Sequence, residues 1–177
     1  MPMSTRRAQP EDAETLHELA SRTFALACPS STAQADIDEF IVANLSRERF
    51  HEYLADPART VLIAEADGVP VGYSMLVAGP IADPDVRAVV DETASVELSK
   101  FYLLADSHGS GAAGALMAAT LAEAVTGGAK WCWLGVNQQN GRAARFYQKH
   151  GFALAGTKRF LVGNDWHDDH IRVRALP

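Results

Sequence analysis

Residues 96–117 read V-E-L-S-K-F-Y-L-L-A-D-S-H-G-S-G-A-A-G-A-L-M, and no other stretch restricts the fold of this chain as strongly. An apolar, β-prone run leads through a short polar hinge into a glycine-rich turn and then an alanine-rich helical run. Side chains are absent or minimal at Gly109, Ser110, Gly111, Ala112, Ala113 and Gly114, so the main-chain N–H groups stay accessible where the helix begins. Those first N–H groups lack an acceptor inside the helix and lie at the positive end of its dipole. A strand, turn and helix of this kind form a site for a phosphate anion.

Composition limits what such a loop can serve. With 177 residues, 47% hydrophobic and 8% aromatic, the chain is expected to form one α/β domain over residues 1–177. A net charge of −6 speaks against nucleic acid as a partner, because that role needs clustered Lys and Arg, and favours a cationic small molecule. Cys28 and Cys132 are the only cysteines, and Cys132 sits in an apolar run, which predicts a buried reduced thiol and a cytoplasmic protein. The start of the chain has no apolar leader segment and no run of ~18 apolar residues occurs, so neither a signal peptide nor a membrane span is expected.

Along the chain, an extended start at 5–8 precedes Pro10, Glu11 and Asp12, a favourable first helical turn. Leu16, Leu19, Ala20, Phe24 and Ala27 then recur at helical spacing up to Pro29. Ile37, Phe40, Ile41 and Leu45 mark a second helix, and Phe50, Tyr53 and Leu54 a third. The acids Asp36, Asp38, Glu39, Glu48 and Glu52 read as solvated helix surface. Residues 60–65 and 71–77 form a hairpin around Asp67-Gly68-Val69-Pro70, and a helical piece is expected over 85–91. The central strand and glycine turn feed a helix that stops at Gly127-Gly128. Residues 131–136 are apolar throughout, as in a strand covered on both faces. Residues 141–150 are helical, and two strands, 153–162 and 170–175, flank a turn at 163–169.

Gly109, Gly111 and Gly114 also satisfy G-x-G-x-x-G, the dinucleotide fingerprint. Its context is wrong. The glycines lie late in the chain, are separated from Leu104 by Ala-Asp-Ser-His, and the next strand ends in Gly135, Val136 and Asn137 with no acid to hold a ribose.

The combination of E-L-S-K-F-Y-L-L, H-G-S-G-A-A-G-A-L-M and W-L-G-V-N-Q-Q-N-G-R-A-A-R-F-Y-Q-K-H-G-F resembles the GNAT superfamily of acetyl-CoA-dependent N-acetyltransferases. The resemblance runs over the whole chain and is strongest from Val96 to Phe152. It implies a central mixed, mostly antiparallel sheet flanked by helices, with splayed central strands. The family's pyrophosphate loop, R/Q-x-x-G-x-G/A, falls on His108, Gly111 and Ala113, and His108 departs from the usual Arg or Gln. Asn137, Asn140, Ala143, Tyr147 and Gly151-Phe152 match the second motif. The ending G-T-K-R-F-L-V-G-N-D-W-H-D-D, Phe160 included, is similar to the PaiA-like polyamine acetyltransferases, with His167 and Arg172 departing from them.

The resemblance implies acetyl-CoA as co-substrate, no metal, and a small cationic amine such as a polyamine as acceptor. A homodimer is compatible with it. Tyr147 is implied as the acid that protonates the leaving thiolate, and Glu97 as the base for the amine, with water as its substitute. The backbone of Phe101, Tyr102 and Leu103 is implied to hold the pantetheine arm, with Asn137 and Asn140 beside it and Lys149 reaching the nucleotide phosphate. Protein N-termini or lysines are competing acceptors, and a silent acetyl-CoA sensor is a reading from another class. Asp165, His167, Asp168, Asp169 and His170 invite a metal reading, but strand alternation puts His167 and Asp169 on one side and His170 on the other, so a polar hairpin is the better account.

Overall fold

The β-prone runs pair into one seven-stranded sheet. In the computed structural model, which describes residues 2–177 apart from the side chain of Phe160, the strands are β1 (Met3–Arg7), β2 (Arg59–Ala66), β3 (Val69–Val77), β4 (Ser95–Leu103), β5 (Trp131–Asn137), β6 (Ala153–Val162) and β7 (Asp165–Ala175). Their spatial order is β1-β2-β3-β4-β5-β7-β6, and every neighbouring pair is antiparallel except β4 with β5. This is the mixed, mostly antiparallel α/β sheet implied by the resemblance.

Helices cover both faces. On one lie α1 (Ala13–Ala27), α2 (Gln34–Asn44) and α3 (Arg47–Ala55), whose apolar positions Leu16, Phe24, Ile37 and Phe50 pack with Ile63, Tyr73 and Met75 of the sheet. Phe50 is fully buried, a placement that stabilises by about 1.5–3 kcal/mol relative to exposure. Asp38, Glu39, Glu48 and Glu52 are exposed, as expected of a solvated surface. On the other face lies α5 (Ala112–Thr126), whose Leu116 and Met117 pack beneath β2, β4 and β5. The short α4 (Pro84–Arg87) covers less of the 85–91 region than expected, and α6 (Gly141–Lys149) follows β5. Arg6 clamps the entry to α1, donating to both Asp12 carboxylate oxygens at 2.8 and 2.9 Å.

Two features of β4 shape the molecule's centre. First, β4 and β5 pair only at Ser95, Val96 and Glu97, opposite Trp131, Cys132 and Trp133. Beyond Glu97 the parallel strands separate. Second, Lys100 opposes Met75 while Leu98 opposes Leu76, so Ser99 has no partner on β3 and forms a β-bulge. In a regular strand Glu97 and Lys100 would face opposite ways. With the bulge, Leu98 and Phe101 pack on the α5 side, whereas Tyr102 packs with Tyr73 on the α1 side. Gly72 lets β3 approach this strand closely, since a Cβ there would stand 2.7 Å from the Tyr102 carbonyl oxygen.

The hairpin β6–β7 corrects the expected turn over 163–169. Val162 pairs with Asp165, so the turn is only Gly163-Asn164 and β7 starts five residues earlier than the sequence suggested. The polar sequence D-W-H-D-D masks this strand because its inward-facing residues line a polar site rather than an apolar core. The alternation assigned to it holds: His167 and Asp169 face one cavity, and His170 does not line it.

Candidate active site

Where β4 and β5 diverge, a cavity of about 440 Å³ opens between them. One end is built by the second half of β4, the glycine turn, the end of β5 and α6. The other is walled by the C-terminal part of α1, Phe40 of α2, and the β6–β7 hairpin.

At the first end, Gly109 and Gly111 adopt φ of 82° and 89°, left-handed values that favour glycine, and Gly111 caps α5. Ser110 donates its hydroxyl to the Ser107 carbonyl at 2.6 Å and accepts from the Ala112 N–H at 3.3 Å, which stiffens the turn. The N–H groups of Ala113 and Gly114 have no acceptor among the described residues, and Ala113 lines the cavity with His108 and Gly109. The glycine turn and helix start read from the sequence are therefore formed and border the cleft. Phe101 stacks on Phe146 at 5.4 Å and meets Tyr147 edge-on at 6.2 Å, fixing Tyr147 in the wall. Burial pushes the Tyr147 hydroxyl well above its ordinary range, so it holds its proton at neutral pH.

Asn137 and Asn140 both line the cavity, yet their carbonyl oxygens serve local structure. Asn137 Oδ1 accepts from the Gln139 N–H at 2.8 Å, and Asn140 Oδ1 caps α6 by accepting from the Ala143 N–H at 3.1 Å. What each offers the cleft is its NH2 group. Lys149 differs from expectation: it is exposed in the last turn of α6 and does not line the cavity, because the helix turns that position outward. Arg142, in the first turn, lines it instead. The ring of Tyr102 alternates to the Tyr73 side of the sheet, while its backbone stays in the same stretch of β4 as Phe101 and Leu103.

The second end carries charges that sequence reasoning largely missed. Glu97, at the last paired position of β4, is pushed up from the usual carboxylate range by burial, with Lys158, Lys100 and Arg59 opposing the rise. Lys100 is brought down to about 8 by burial, with Glu97 acting against the shift. Lys158 extends from β6 across Gly135 of β5. A Cβ at Gly135 would stand 2.6 Å from Lys158 Cε, so the missing side chain makes the lysine's path. Lys158 Nζ lies 3.9 Å from Asp169 Oδ2. Asp169 is 6% exposed, and among the described residues its Oδ1 has no hydrogen-bond partner, nor does His167 Nε2. The cavity wall thus alternates Lys100, Glu97, Lys158 and Asp169. The one cue in the sequence was the glycine at 135 inside a bulky strand.

Cys28, at the α1 end of the cavity, is pushed up to about 11 by burial, and Cys132 lies buried beneath the sheet. Neither is available as a thiolate at neutral pH. Among the described residues, no group of three or more His, Cys, Asp or Glu is placed to hold a metal ion, and no helix is long and apolar enough to cross a membrane.

Solved structures share this fold. The PaiA N-acetyltransferase from Thermoplasma acidophilum, solved with coenzyme A, superposes with a TM-score of 0.79 at 22% identity over 99% of both chains. The Salmonella typhimurium protein yncA, solved with acetyl-CoA as its cofactor, gives 0.67 at 20% identity, covering 100% of this chain and 95% of that one. The acetyltransferase (GNAT) family model matches residues 15–152. Uncharacterized N-acetyltransferases of Mycobacterium tuberculosis and Mycobacterium bovis are 49% identical over 93% of this chain and 98% of their own length. The chain belongs to the GNAT family and is an acetyltransferase. The side chain of Phe160, part of the PaiA-like resemblance, lies outside the described residues.

Proposed function

We propose that this enzyme moves the acetyl group of acetyl-CoA directly to the primary amine of a small molecule. The observation that carries this reading is that Glu97 and Tyr147, the base and acid the chemistry requires, line one cavity, in the gap between β4 and β5.

The glycine turn and the free N–H groups of Ala113 and Gly114 fit the coenzyme pyrophosphate, with Arg142 placed to add a cation. The unpaired stretch of β4 from Phe101 to Leu103 fits the pantetheine arm, since its β5-facing edge has lost its neighbour. The acceptor arrives as an ammonium and must lose a proton before it can attack. Glu97 takes that proton, directly or through water, because burial raises its basicity. The nitrogen then attacks the thioester carbonyl carbon, the C–S bond breaks, Tyr147 gives its proton to the departing sulfur, and the proton that the nitrogen sheds as the amide forms returns through water to the tyrosine oxygen. With Cys28 held as a thiol, direct attack requires no acetyl-enzyme intermediate.

A polyamine is the acceptor suggested by the resemblance to PaiA-like proteins. The charges support the polycation less well, because each acid of the wall, Glu97 and Asp169, already has a lysine acting on it. Thiol release from acetyl-CoA, measured against polyamines, amino acids, aminoglycosides and peptides, tests the proposal. Turnover with a small primary amine is expected. Coenzyme binding with no thiol release on any amine would instead make this a silent acetyl-CoA sensor.

A further inference from the structure

We infer that the acceptor is a small amine that carries its own carboxylate, with the carboxylate held by Lys100 and the amine presented to Glu97. The inference rests on reading the cavity as the acetyl-transfer site. Lys100 is on the acceptor side of β4 only because Ser99 is an extra residue in the strand. Among the described residues its ammonium makes no hydrogen bond and no ion pair within 4.0 Å; the Tyr53 ring lies 5.6 Å from Nζ to the centroid, and Glu97 and Arg59 act on it from farther off.

A largely buried ammonium on which Glu97 acts only from beyond ion-pair distance is still costly, and a ligand carboxylate would supply a charge-assisted hydrogen bond there. The remaining charges are already matched, since Lys158 faces Asp169 at 3.9 Å. A polyamine would add two or more positive charges to a wall with as many lysines as acids. An aminocarboxylate adds none in net and continues the alternation of signs. Phe24, stacked on Phe40 at 4.4 Å, and Val162 supply an apolar wall for the rest of such a molecule.

The test is calorimetric titration of the coenzyme-A-saturated protein with L-α-amino acids of apolar side chain, each matched with its amide and its decarboxylated amine, and with spermidine. At least one amino acid is expected to bind about tenfold or more tightly than both of its matched partners and than spermidine. Lys100→Met is expected to bring that ratio to within about twofold, and Lys100→Arg to retain most of it. Equal affinity across the matched sets, tighter binding of spermidine, no binding of any amino acid, or a preference that survives in Lys100→Met overturns the inference. Thiol release on the same panel is read separately. Selective binding without release would sink the transfer reaction while leaving the acceptor class standing.

Discussion

Glu97 and Lys100 share one face of β4 although three positions separate them, because Ser99 opposes no residue on β3. One extra residue turns a strand that would have pointed one charge into the cavity into one that points two. The bulge sits where β4 leaves β5, so the same short segment borders the cleft and brings both charges to it.

Glu97→Gln keeps the shape of the wall and removes the base. The expected result is a fall in kcat of ~10² with the KM for acetyl-CoA nearly unchanged. In the wild type, burial raises the Glu97 pKa, so the carboxylate becomes available as pH rises through that raised value. The acidic limb of the rate profile is therefore expected above the ordinary Glu value of ~4.3, and it should disappear in the variant.

Gly135→Ala tests the path of Lys158. The added methyl group would meet Lys158 Cε at 2.6 Å, and a flexible side-chain end can move aside, so the protein is expected to fold with a Tm within a few degrees of wild type. Displacing Lys158 removes the largest cationic influence on Glu97. The expected loss is roughly tenfold in kcat/KM, with the acidic limb moved to higher pH.

Lys100→Met is expected to stabilise the ligand-free protein. Lys100 sits at about 8 when folded against ~10.4 when unfolded, so below pH 8 both states are charged and the folded state bears the full cost of burial. That cost fades between pH 8 and about 10.4. The variant should gain about 1–2 kcal/mol at pH 7, after allowing for the cation that Glu97 loses, and less at pH 10. Chemical denaturation at the two pH values reads the difference.

Asp12→Ala removes the clamp at the entry to α1. The Arg6 hydrogen bonds hold the Asp12 pKa below the ordinary carboxylate range, and Asp12 also accepts from the Gln9 N–H at 2.6 Å. A depressed carboxylate contributes stability that is present above its unfolded value of ~3.9 and lost as pH falls through the folded one. The expected cost at pH 7 is about 2 kcal/mol, shrinking in acid, with acetyl transfer unaffected at temperatures where the variant is folded.

The glycine-turn end of the cavity was legible in the sequence and the α1 end was not, for a physical reason. Exposed backbone requires glycines and a helix start, which leave a visible pattern at Gly109, Gly111 and Ala113. Phe101 lies on the strand that leads into that pattern, and Asn140 and Tyr147 belong to a second motif at the start of and along α6. The acceptor wall is assembled from α1, α2, the bulge and the β6–β7 hairpin, so Lys100, Lys158, His167 and Asp169 come together only through the sheet. A bulge leaves no sequence signal when the extra residue is a serine. Arg142 lines the cavity and Lys149 does not, because a helical face, rather than proximity in the chain, decides which residue sees the cleft.

The central claim is that Tyr147 supplies the proton on which acetyl transfer depends. Tyr147→Phe keeps the ring contacts with Phe101 and Phe146 and removes only the hydroxyl. Steady-state thiol release, with acetyl-CoA affinity measured alongside, should show kcat lowered by ~10² or more and affinity within about threefold of wild type. A kcat within about twofold of wild type would contradict the account.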